Sequence, residues 1–213
     1  MDIRFTLLSD GSSDRALEPI IRWTLRQHVS EKASINGDWA NLMRLDAKPR
    51  GLVQRIDQAL MLFPCDVLFV HRDAEREDPM RRFEEVAGAV EKADTPEGLS
   101  VVTVVPVRMT EAWLLFDRDA IRIASHNPNG HQVLNLPQLA RAESLPDPKQ
   151  VLYDAIRQAS GKSKRGLRKL NVRQARTRIS DFIQDFSPLR QLSSFCRFES
   201  DVERLCHERW PRE

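Results

Sequence analysis

The run Val67-Leu68-Phe69-Val70 constrains this chain more than any other stretch: it is apolar without a break, carries β-branched and aromatic residues, follows Pro64 and meets charge directly after. A strand with one wet face alternates apolar and polar positions, so a run with no polar position must be covered on both sides. It reads as a central strand between two layers of helix. Ile3 to Leu8 reads as a first strand, and the Val-rich run Leu99 to Val105, stopped by Pro106, as another. Helical spacing of apolar residues separates them. Leu17, Ile20, Ile21, Trp23 and Leu25 mark a helix over 14–29, with Ser12 or Ser13 as its cap, and Val53, Ile56, Ala59, Leu60 and Phe63 mark one over 52–63. A charged helix follows Pro79 and runs to Ala93. Residues 30–38 are polar and read as loop, and 39–45 as a weaker edge strand. Strand and helix alternating at this rhythm predict right-handed crossovers and an α/β fold with a mainly parallel sheet.

Parallel strands place their C-terminal ends on one edge, and there the acids gather. Asp73 and Glu75 stand one residue apart just past the central strand, so an extended backbone would point both the same way. Asp10 follows the first strand, and Glu111 opens a short helix over 110–117 after Pro106. Carboxylates converging at strand ends suit a hard divalent cation such as magnesium or manganese. The same acids also read as a solvated strand end. His71 and Arg72 adjoin them, His71 as a proton carrier or a packed structural residue, Arg72 as a partner for phosphate or for a surface acid.

With 213 residues and 41% hydrophobic content, the chain can bury one sizeable core plus a helical appendage. The expected division is an α/β part over 1–120 and, over 121–213, a connector leading into a helical subdomain packed on it. Asn127-Pro128-Asn129-Gly130 is a turn signal within the connector, and a helix begins near Lys149. Cys65, Cys196 and Cys206 have neither zinc-site spacing nor an even count for disulfides, which points to a reducing compartment. No apolar run approaches membrane-spanning length and no signal-peptide core follows Met1, so a cytoplasmic protein without a membrane partner is expected. The sequence leaves the oligomeric state open.

The net charge is only +2, yet from Arg157 to Arg178 nine basic residues occur with no acid. Lys162, Lys164, Arg165, Arg168, Lys169, Arg173 and Arg176 from this stretch, with Arg72, are the candidate contacts to a nucleic-acid backbone; a solvated helix face, or one pairing with a partner's acids, is the alternative. Gly161-Lys162-Ser163 is not a phosphate-binding loop, because Ile156 stands where that motif needs its first glycine. Helices are expected over 171–186, 189–196 and 200–210, their aromatic residues spaced for core packing.

Ser-Asp-Gly-Ser-Ser-Asp at 9–14, His-Arg-Asp-Ala-Glu at 71–75 and Pro106 with Glu-Ala-Trp-Leu-Leu-Phe-Asp at 111–117 resemble the Toprim-like proteins of the domain-of-unknown-function family 4276. Asp147-Pro148-Lys149 and Ser187-Pro188-Leu189-Arg190 extend the resemblance over most of the chain. It implies a Toprim-like α/β fold and magnesium-dependent phosphoryl-transfer or nuclease chemistry on DNA or RNA, with Asp73 as principal ligand, Glu75 as second ligand, and Asp10 as ligand or general acid/base. It further implies a bacterial antiviral-defence setting with an ABC- or AAA-type ATPase as partner. The alternative is a non-catalytic subunit of the same fold that binds the ATPase, nucleic acid or both. Two departures bear on this: Asp10 and Asp14 stand where the family usually has Glu, and Glu75 where it usually has Asp. The shorter Asp10 has about one methylene less reach, enough to matter for proton transfer.

Overall fold

Strand β3 (Val67–His71) is buried at every residue, as its unbroken apolar run requires. In the computed structural model, which describes residues 1–211, it pairs on one side with β1 (Asp2–Leu8) and on the other with β4 (Ser100–Val104), while β2 (Ser34–Trp39) closes the far side of β1. The order is β2-β1-β3-β4 and every pairing is parallel. The α/β fold with a parallel sheet and a helical C-terminal part is therefore as expected; the expected segment 121–213 runs past the described residues only at 212 and 213.

Alternation along β3 sends its side chains to two cores. Phe69 packs with Phe5 and Leu7 of β1, with Ile20 and Leu25 of α1 (Leu17–His28), and with Phe198 and Val202 of α8 (Ser193–Arg209). Leu68 and Val70 face the opposite layer, where Ile56 and Ala59 of α2 (Leu52–Leu62) and Val86 and Ala89 of α3 (Pro79–Val90) cover them. Each fully buried Val, Leu, Ile or Phe among them contributes about 1.5–3 kcal/mol relative to exposure.

β2 differs from the sequence expectation. The strand occupies Ser34–Trp39, which had read as loop, and 42–44 form a single 3-10 turn where a strand was expected. An edge strand buries little, and here only Ile35 is fully buried, so no apolar run announces it. Its Gly37 lies opposite Phe5, and a Cβ there would come within 2.1 Å of the Phe5 ring.

The C-terminal third adds α4 (Arg118–Ala124), α5 (Pro148–Ala159), the short α6 (Lys164–Leu167), α7 (Val172–Phe182) and α8. Asp117, Asp147 and Asn171 cap α4, α5 and α7 with their side chains. The connector is thus more ordered than its composition suggested, and α8 is one helix where two had been expected, preceded by a 3-10 turn over Ser187–Gln191. The stretch 110–114 is likewise 3-10 rather than a longer helix, and the chain after β1 enters a 3-10 turn, Ser12–Ala16, before α1 begins. Ser12 and Ser13 do not cap that turn; the Asp14 carboxylate receives the Gly11 N–H at 3.0 Å instead. Trp113, fully buried, stands edge-on to Phe195 with centroids 5.3 Å apart and donates Nε1–H to Ser194 Oγ at 2.9 Å, joining α8 to the strand-end turns.

Replacing Gly37 by Ala should destabilise the protein by about 1–3 kcal/mol through forced displacement of the Phe5 ring. Urea unfolding followed by tryptophan fluorescence would show a lowered midpoint with unchanged slope.

Candidate functional site at the strand ends

The chain passes from β1 outward to β2 and returns to the other side of β1 as β3, so connections leave in opposite directions between β1 and β3. That switch point opens a crevice beyond the strand ends, the usual ligand position in such sheets. Asp10 follows β1 into it, and Arg72 and Asp73 follow β3.

Asp10 is held by two guanidinium groups. Arg55 Nη1 and Arg72 Nη1 each lie 2.7 Å from its Oδ1, and Arg55 also donates to the Ser9 carbonyl. Burial opposes its ionisation, but the hydrogen bond from Arg55 and the charges of Arg72 and Arg55 outweigh it, holding the carboxyl below its ordinary value. Arg72 continues to Glu85 Oε1 at 3.0 Å, and Arg82 binds Glu85 Oε2 at 2.9 Å and the Asp73 carbonyl at 3.1 Å. Asp10, expected as a metal ligand or general acid/base, is therefore an ion-pair centre. Arg72, expected on phosphate, is its clamp.

Glu75 leaves the group because the strand ends before it. The Ala74 and Glu75 N–H groups donate to the Pro106 and Arg108 carbonyls, Glu75 takes φ +55°, and its side chain is 68% exposed with Arg82 3.9 Å away. The shared direction expected of Asp73 and Glu75 required extended backbone, and the turn removes it.

A second, buried network lies alongside. His71 Nε2 stands 3.1 Å from Asp73 Oδ1 and 3.2 Å from Thr110 Oγ1, while its Nδ1 lies 3.7 Å from Asp14 Oδ2. The Thr110 N–H donates to the same Asp73 oxygen at 3.0 Å. Arg176 of α7, 2% exposed, inserts between Asp14 (Nη2 to Oδ1, 3.5 Å) and Glu111 (Nε to Oε1, 3.2 Å). Burial disfavours a charged imidazole, yet the Asp73 hydrogen bond and the charges of Asp73, Asp14 and Asp10 prevail, raising the His71 pKa. Burial pushes the Glu111 carboxyl up, with Arg176 opposing it.

Four acids had been expected to share an ion, and each is engaged elsewhere or faces water: Asp10 is held by two arginines, Glu75 is exposed, Glu111 pairs with Arg176, and Asp73 pairs with His71. Among the described residues no three His, Cys, Asp or Glu side chains are grouped to hold a metal ion. Asp14 and Thr110 were not among the candidate site residues, and the central role of Arg176 was not foreseen. The signal for Asp14 was there, since it is the second acid of Ser-Asp-Gly-Ser-Ser-Asp. Nothing local marked Arg176, which had been counted with the exposed cations. The other six candidates, Lys162, Lys164, Arg165, Arg168, Lys169 and Arg173, are exposed and form no ion pair within the described residues.

No family model, curated protein or solved structure matches this chain.

Arg176→Met should cost about 3–5 kcal/mol by leaving Asp14 and Glu111 buried without their cation, and adding Glu111→Gln should restore part of it, both read by chemical denaturation. Because the folded pKa of His71 is raised above an unfolded value of about 6.5, its stabilising contribution is complete below that pH and fades as pH rises through the folded value. Wild type should therefore exceed His71→Gln in melting temperature by more at about pH 6 than at about pH 9, as calorimetry would record.

Proposed function

We propose that this protein is a Toprim-like nucleic-acid-binding subunit. Its parallel sheet presents a basic segment to the phosphate backbone, and the strand-end networks serve to bind and to hold architecture together. The observation that carries this reading is the set of six exposed cations between Lys162 and Arg173 without an acidic partner among the described residues, in a chain whose net charge is +2. Arg55, Arg72, Arg82, Arg122 and Arg190, by contrast, each pair with an acid. An unpaired cluster gains by displacing counterions from a polyanion, an affinity indifferent to sequence and sensitive to salt. An ATPase partner in a bacterial defence setting belongs to this proposal on the strength of the sequence resemblance alone.

Metal-dependent phosphodiester hydrolysis is the second reading. One observation favours it: Asp73 is the most solvent-accessible acid of the buried network, at 29% side-chain exposure, and beside it lies Glu111 with a raised pKa, the kind of perturbed group that marks reactive sites.

Fluorescence anisotropy with labelled DNA and RNA over a salt series tests the first reading. The variant Lys164→Gln/Arg165→Gln/Arg168→Gln/Lys169→Gln should bind more weakly, with a salt slope shallower by about 0.9 for each duplex phosphate that is no longer neutralised. An unchanged affinity would remove the basic segment from the interface. Incubating the same substrates with magnesium or manganese should leave them intact; cleavage that disappears in Asp73→Asn would replace the binding reading by the hydrolytic one.

A further inference from the structure

We propose that the groove between the Ser12–Ala16 turn and the N-terminus of α7 is a phosphate-binding site. The assignment of a nucleic-acid backbone phosphate as its occupant rests on the reading above; the phosphate chemistry does not.

The groove encloses about 530 Å³ and is lined by Ser12 and Ser13 on one wall, by Lys149 from the first turn of α5, and by Asn171, Arg173 and Arg176 from the start of α7. Arg173 and Arg176 are three residues apart on the helix and so share a side of it. Asn171 caps α7 by accepting the Gln174 N–H at 3.1 Å, which places the positive end of an eleven-residue helix at the groove.

An independent observation comes from Arg176. Its side chain is 2% exposed; Asp14 and Glu111 lie within ion-pair distance of Nη2 and Nε, and Nε and Nη1 both lack a hydrogen-bond partner. A buried charged donor left without an acceptor is costly, and a guanidinium already fixed on two sides can offer its remaining N–H groups without further loss of freedom. Phosphate oxygens are the acceptors that suit it, and they would also meet two exposed cations and two hydroxyls. The acids facing the guanidinium are Asp14 and Glu111; against them stand Arg176, Arg173 and Lys149, so the groove retains positive charge even with both acids ionised. The site also joins the strand-end crevice to the basic segment, because Arg173 belongs to that segment and Ser12 and Ser13 follow Asp10.

The test compares wild type with Lys149→Gln/Arg173→Gln, two exposed positions outside the Arg176–Asp14 and Arg176–Glu111 ion pairs. Inorganic phosphate at about ten times its dissociation constant should raise the wild-type melting temperature by about 3–6 °C over chloride of equal ionic strength, and the double variant should lose that rise. Absence of the rise in wild type, or an equal rise in the variant, overturns the site. Anisotropy with a single-stranded oligonucleotide reads the occupant: an affinity reduced about tenfold in the variant, with phosphate competing in wild type, supports a backbone phosphate. Phosphate protection without oligonucleotide binding would keep the site and defeat the nucleic-acid reading. Oligonucleotide binding that neither phosphate nor the double variant alters would keep that reading and defeat the site.

Discussion

Arg176 reaches from α7 to Asp14 just beyond β1 and to Glu111 just beyond β4, and much of what is distinctive here depends on that one guanidinium. A cation buried this deeply loses most of its hydration, a loss of several kcal/mol that only close acids can offset. Because both acids sit on turns that follow strands, the pairing fixes how the C-terminal helices seat on the sheet. Hydrophobic contact brings α8 to the same face through Phe195 and Phe198, but apolar surfaces tolerate sliding. A charge held between two carboxylates does not.

The strand-end edge carries two charge systems separated by direction. On the outer side Arg55, Asp10, Arg72, Glu85 and Arg82 form a chain of alternating sign, each acid met by two cations. On the inner side His71, Asp73, Thr110, Asp14, Arg176 and Glu111 form a buried network. The central strand feeds both: His71 points inward and Arg72 outward, as successive residues of a strand must. A crevice lined in this way is close to neutral, whereas α6 and the start of α7 carry exposed cations without acidic partners among the described residues. In the proposed function, affinity for a polyanion would originate in the C-terminal helices, with the sheet as the rigid frame on which they are displayed.

The sequence by itself determined the sheet's centre and most of its helices. β3 was legible because a strand covered on both faces admits no polar residue, and α5 and α7 because Asp147-Pro148 and Asn171 carry the chemistry of helix starts. β2 was not legible, since an edge strand with one fully buried residue leaves no apolar pattern. That the acids gather at one edge was also in the sequence, as a consequence of parallel topology. Which of them share a site was left to tertiary structure. Glu75 turned away on a backbone bend set by the Pro106 and Arg108 carbonyls, Asp10 was captured by Arg55 from another helix, and Arg176, spaced like any solvated cation, was drawn inside by acids far away in sequence. Periodicity reports how much of an element is covered, because burial repeats along the chain. Pairing between charges depends on distance in three dimensions, and no local pattern encodes it.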